Sequence, residues 1–212
     1  MSSIVVAGDT SGSVTLSAPA VAGASVLTLP VATDTLVGKA TTDTLTNKTL
    51  GSGLVAGASI LTSGTAQAST SGTSIDFTGI PSWVKRITVM FSGVSTSGTS
   101  IMQIQIGAGA VETTGYLGSY DTFTSTPSAN LITTGFGLAL PAASSASNGI
   151  ANIILLTGST WAYTSFLGGS DTGRISYGGS SKTIAGTLDR IRITSVNGTD
   201  TFDAGSINIM YE

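Results

Sequence analysis

The side chains able to do acid–base chemistry are few. Asp76, Glu112, Asp121, Asp171, Asp189, Asp200 and Asp203 are the candidate carboxylates. Two of them could cleave a glycosidic bond if held about 5 Å or 6.5–9.5 Å apart. None lies in a pattern that separates it from turn chemistry, where Asp and Asn bond nearby backbone. The chain contains no His and no Cys. That excludes Ser-His-Asp and Cys-His nucleophile systems, thiol redox chemistry, disulfides and His/Cys zinc sites. The expectation is a protein that is not an enzyme and carries no cofactor. Residues 197–203, Asn-Gly-Thr-Asp-Thr-Phe-Asp, offer closely spaced oxygen ligands, with Asp200 and Asp203 as possible calcium ligands. Calcium takes six to eight oxygens, and no EF-hand spacing is present. The competing reading is a hairpin turn at Asn197-Gly198.

Aromatic side chains are the other candidates. Tyr116, Tyr120, Trp161 and Tyr163 are the candidate receptor-facing residues, because such rings stack on sugars. Trp161 and Tyr163 share one face of an extended segment. Aromatics also dominate cores and subunit interfaces, so that alternative stands beside the first. The glycine-rich Gly51-Ser52-Gly53 lacks a P-loop lysine and a following helix, which makes it a turn.

Composition narrows the partners. Charged residues are 9% of 212, and the net charge is −3. Eight Lys and Arg scattered along the chain cannot supply the counterion displacement that duplex binding needs. No stretch of about 18–20 apolar residues is present, so no membrane insertion is expected. The N-terminus lacks the cationic and apolar regions of a secretory signal. Mean hydropathy is +0.38. An apolar, weakly charged chain of this kind is expected to hide surplus apolar surface in an assembly.

Elements that would position these side chains are strands. Period-2 alternation with β-branched residues marks 14–16, 26–29, 86–91, 101–106, 188–194 and 206–211. Ile87, Val89 and Phe91 share one face, as do Ile191 and Ile193, and Ile207, Ile209 and Tyr211. The run from Ile150 to Thr157 is apolar at nearly every position, which suits a strand covered on both faces. The only helix-like candidate is a turn near 43–50. The fold class expected is all-β: an antiparallel, jelly-roll-like β-sandwich of roughly eight strands over residues 71–212. The first 70 residues contain no Trp, Tyr, Phe or Arg. Such small side chains cannot build a thick core alone, because burial free energy scales with apolar area. Residues 1–50 are expected as an extended β-rich segment that needs partner chains to bury its strands, and 51–70 as a Gly/Ser/Thr/Ala-rich linker. Short duplications occur at 21–28 and 55–62, at 33–36 and 42–45, and at 71–75 and 97–101. They read as low-complexity drift or as structural duplication.

Two stretches resemble tailed-bacteriophage virion proteins. Gly12-Ser13-Val14-Thr15-Leu16-Ser17-Ala18-Pro19-Ala20-Val21-Ala22-Gly23, followed by Leu27-Thr28-Leu29-Pro30, resembles the N-terminal segment of phage tail-fibre and related structural proteins. Thr42-Asp43-Thr44-Leu45-Thr46-Asn47-Lys48-Thr49-Leu50 resembles an element of the same proteins. Residues 75–94 and 200–209 are similar to C-terminal domains of phage structural proteins of unassigned function. The resemblance implies a homotrimer on the virion exterior, made in the host cytoplasm and held to other tail or capsid proteins by its N-terminal segment. It implies a short fibre or spike that displays a β-domain to host-surface glycans or proteins. The alternative is a capsid decoration or head-fibre protein that stabilises the shell, and a third is a carbohydrate-cleaving enzyme.

Overall fold

A computed structural model describes residues 3–7, 10–17, 61–123, 129–138, 143–170 and 173–212. The chain divides into two units, Met1–Leu54 and Val55–Glu212. In the first, β1 (Ser3–Ala7) and β2 (Ser13–Ser17) pair antiparallel with Val5 opposite Thr15. The expected turn at 43–50, the linker segment 51–60 and the duplications within 21–60 lie outside the described residues.

The second unit is an antiparallel β-sandwich. Its strands are β3 (Thr62–Ser63), β4 (Gln67–Ala68), β5 (Ser74–Thr78), β6 (Arg86–Thr96), β7 (Met102–Ala108), β8 (Ala110–Val111) and β9 (Leu117–Phe123). They continue with β10 (Asn130–Ile132), β11 (Phe136–Leu138), β12 (Ser147–Thr157), β13 (Thr160–Gly169), β14 (Ile175–Thr183), β15 (Arg190–Ser195) and β16 (Phe202–Tyr211). A nine-stranded sheet runs β10-β9-β14-β13-β12-β6-β16-β3, with β4 also on β16. A five-stranded sheet runs β11-β7-β15-β5, with β8 on β7. β12, β13 and β14 form a meander, and most other connections pass from one sheet to the other.

Local alternation decides which half of each strand enters the core. Ile87, Val89 and Phe91 of β6, Ile191 and Ile193 of β15, and Ile207 and Ile209 of β16 are all buried, as the pattern predicts. They meet Ile75, Phe77, Ile104, Ile106, Ala151 and Ile153 in one core. Each buried aliphatic side chain of this kind is worth about 1.5–3 kcal/mol of transfer free energy.

Two expectations about connections change. Residues 61–70 belong to the larger sheet and not to a linker. Gly64 N–H donates to Ile209 O at 2.7 Å, and Ser69 N–H donates to Gly205 O at 3.0 Å. Main-chain bonds hold this segment, so its poverty in large apolar residues does not mark a boundary. Asn197-Gly198 does turn the chain, with Gly198 N–H donating to Ser195 O at 3.1 Å. The strands it joins are β15 of the smaller sheet and β16 of the larger, so it is a corner between sheets and not a hairpin. The duplicated Ser-Gly-Thr-Ser-Ile at 71–75 and 97–101 leads into β5 and β7, the two neighbours of β15.

Candidate functional site

Trp161 and Tyr163 do share one face of β13, but that face points into the core. Trp161, Tyr163 and Tyr116 are all buried, which corrects their assignment as receptor-facing residues. The Phe136 ring stacks on Tyr163 with centroids 4.6 Å apart and meets Tyr116 edge-on at 4.9 Å. Tyr163 donates its hydroxyl to Gly137 O at 2.9 Å. Tyr116 donates to Glu112 O at 2.9 Å and accepts from Ile106 N–H at 2.8 Å. Burial pushes both phenols well above the usual tyrosine range. Tyr120 alone of the four stays half-exposed, with its ring over Gly137 where any Cβ would collide.

The described carboxylates serve structural partners. Asp76 holds Arg192 through two bonds of 2.7 Å. Asp189 pairs with Arg190 at 2.8 Å and accepts Gly109 N–H at 3.1 Å. Glu112 pairs with Lys182 at 2.6 Å and accepts Ala185 N–H at 2.7 Å. Lys182 is buried, with its ammonium 5.5 Å from the centre of the Tyr116 ring. Hydrogen bonding to Lys182 lowers the Glu112 carboxyl below the usual range, and hydrogen bonding to Arg190 does the same to Asp189. A general acid in glycoside hydrolysis needs the opposite shift.

Asp200 accepts Ser100 N–H at 2.9 Å and the Asn197 side-chain amide at 2.7 Å. Asp203 accepts the Ser95 hydroxyl. The two candidate calcium ligands are therefore tied to donors from the β15–β16 corner, the β6–β7 connection and β6. Among the described residues no three acidic side chains gather around one point. Asp171 lies outside the described residues.

The feature that stands apart is the outward face of the larger sheet. Its strand register lines up one row across five strands, Met90–Ile150–Phe166–Tyr177–Asp121. Ile154 and Leu156 continue the apolar surface along β12, Ile175 along β14, and Leu117 and Phe123 along β9, with Leu131 on β10 at the edge. These side chains, with Ile150, Phe166 and Tyr177, expose between 39% and 88% of their surface. A row of uncharged positions, Asn152–Thr164–Gly179–Ser119, runs between them and is partly paired, as where Thr88 donates its hydroxyl to Asn152 Oδ1 at 2.8 Å. Two charged side chains lie among them, Asp121 between Leu117 and Phe123 on β9 and Arg86 opposite Ile154, and both are paired within the chain. Arg86 pairs with Glu212, and the Tyr177 hydroxyl donates to Asp121 Oδ2 at 3.3 Å.

The sequence carried one signal for this face. In the run Ile150 to Thr157, Ala151 and Ile153 are buried, while Ile150, Ile154 and Leu156 are exposed. A strand apolar on both sides is thus covered on one side only within a single chain. Phe166 lies three positions from Tyr163 and so points the other way.

No family model, curated protein or solved structure matches this chain. The reading of function therefore rests on the face, on the other surfaces of the sandwich and on the resemblance of the N-terminal residues.

Proposed function

We propose that this chain is a structural subunit of a bacteriophage virion: a short homotrimeric fibre or spike, attached by its N-terminal segment and displaying the sandwich for adhesion to the host surface. The observation that carries the assembly is the outward face of the nine-stranded sheet, where nine large apolar side chains are exposed. Summed over the nine, their uncovered area is on the order of 800–1,000 Å², at roughly 150–200 Å² for each complete side chain. A stable interface buries about 800 Å² on each partner, so this face suffices for one. Second copies of the same chain are the occupants the chemistry favours. The two charged groups on this face are answered within the chain, Asp121 being buried and bonded by Tyr177 and Arg86 being paired with Glu212, so the face brings no unpaired charge against its own copy. The resemblance of residues 12–30 and 42–50 to phage fibre proteins is what directs this assembly to a virion.

Gold-labelled antibody against residues 61–212, applied to intact particles and viewed by electron microscopy, tests the location. Label at the tail supports the fibre. Label over the shell moves the protein to capsid decoration. Absence of label on particles, with the epitope accessible on free protein, overturns the virion assignment.

A further inference from the structure

The opposite side of the sandwich has different chemistry. The outward face of the five-stranded sheet holds a polar groove of about 440 Å³, within the size range of small-ligand clefts. Gln103 and Gln105 of β7, Arg192 and Thr194 of β15, Thr134 and Thr113 line it. Gln103 is 2% exposed and Gln105 is 6% exposed, so both amides are held in place by their surroundings.

Their internal bonds use only half of what the amides offer. Thr134 donates its hydroxyl to Gln103 Oε1 at 2.8 Å, and Gln105 Nε2 donates to Thr134 O at 3.0 Å. Gln103 Nε2, a donor, and Gln105 Oε1, an acceptor, have no partner among the described residues. Neither atom is among the side-chain atoms sealed from solvent without a partner, so both are open to a ligand that enters the groove. The two residues alternate with inward Ile104 on the same strand, so the donor and the acceptor lie side by side on one face.

Charge selects the class of ligand. The Arg192 guanidinium is held in a bidentate pair by Asp76 at 2.7 Å. That pairing cancels the one cation in the groove and leaves no net attraction for an anion. Exposed Val196 supplies an apolar contact at one end. Amide donor, amide acceptor, hydroxyls and a small apolar patch without net charge match a sugar ring. Its hydroxyls both donate and accept, and its C–H face is apolar.

We propose that the groove over Gln103, Gln105 and Thr134 binds a neutral pyranose unit. As the host-contacting site, this rests on the adhesion reading above. With the apolar face turned towards sister copies, the groove faces away from them, and copies held together convert weak single-site binding into avidity.

Saturation-transfer NMR on the full chain tests this with five neutral probes: the methyl glycosides of glucose, galactose, mannose, rhamnose and N-acetylglucosamine. At least one is expected to bind with a Kd of about 1 mM, typical of a single shallow site. Thr113 is exposed at the rim, so Thr113→Tyr should fold normally and fill the groove. It should weaken binding about tenfold, as should Gln105→Met, which removes the acceptor. Methyl glucuronide should bind no more tightly than methyl glucoside. Transfer to none of the five, undiminished transfer in Thr113→Tyr, or a tenfold preference for the glucuronide each overturns the proposal. The two readings fail separately. Labelled particles without sugar transfer sink the groove alone, whereas sugar transfer without labelled particles sinks the virion role alone.

Discussion

Phe166→Asp is the sharpest perturbation of the assembly. Phe166 exposes 59% of its surface at the centre of the apolar row, between Ile150 and Tyr177. Of a side chain offering roughly 200 Å², about 120 Å² is therefore available to a partner. At about 25 cal/mol per Å², covering it is worth about 3 kcal/mol in each copy. In a trimer the change is made three times, so about 9 kcal/mol of association is lost before any cost of burying a carboxylate is added. Every 1.4 kcal/mol is tenfold in an equilibrium constant, so the loss is about six orders of magnitude. The assay is light scattering on eluted protein at micromolar concentration. Wild type should weigh about three times 21.0 kDa and the variant 21.0 kDa. Because Phe166 lies outside the core, the monomer should keep its far-ultraviolet spectrum and change in stability by no more than about 0.5 kcal/mol. A wild-type mass of 21.0 kDa, or a folded variant that stays trimeric, would refute the reasoning.

Three further outcomes follow from the interior. Tyr116→Phe leaves the buried Ile106 N–H without its 2.8 Å acceptor, and should cost about 1–3 kcal/mol in urea unfolding; an unchanged midpoint would show that the hydroxyl is idle. Glu112→Gln removes the partner of buried Lys182 and should cost about 1–2 kcal/mol at neutral pH. Because the folded Glu112 carboxyl is lowered, its contribution is present above about pH 4.3 and is lost as pH falls through the lowered value. The gap between wild type and Glu112→Gln in thermal melts should therefore close in acid, and a gap that persists at pH 2 would contradict the pairing. Gly205 has φ +90 in the bulged ladder between β6 and β16, where an added Cβ would strike the Gly93 backbone. Gly205→Ala should cost more than about 2 kcal/mol, while Gly158→Ala, at φ +54 with open space around it, should cost about 1 kcal/mol. Equal losses in chemical denaturation would remove the steric argument.

Strand identity was legible wherever alternation was clean. Ile87, Val89 and Phe91, or Ile191 and Ile193, needed no partner strand to reveal their common face. The candidate site was less legible. Trp161 and Tyr163 were correctly placed together, but period 2 is symmetric: it says that two side chains share a face, and not which face is inside. That decision belongs to the partner sheet, where Phe136 and Tyr116 meet them. Phe166, on the other face of the same strand, drew no notice because its neighbours Thr164 and Gly168 are small. Asn197-Gly198 was legible as a turn, yet a turn signal does not specify whether its two strands pair with each other.

The chain's own order of residues determined the all-β class, the inward half of most long strands, the weak charge and the absence of His and Cys chemistry. These are local or compositional properties, set by neighbours two positions apart or by counting. Tertiary structure alone decided that residues 61–70 join the larger sheet and that β15 and β16 part at the corner. It also decided that nine separated apolar side chains lie on one face of the larger sheet, and that Gln103, Gln105, Thr134 and Arg192 converge on one groove. Those features depend on register between strands far apart in sequence, and a strand's alternation is the same whatever lies beside it.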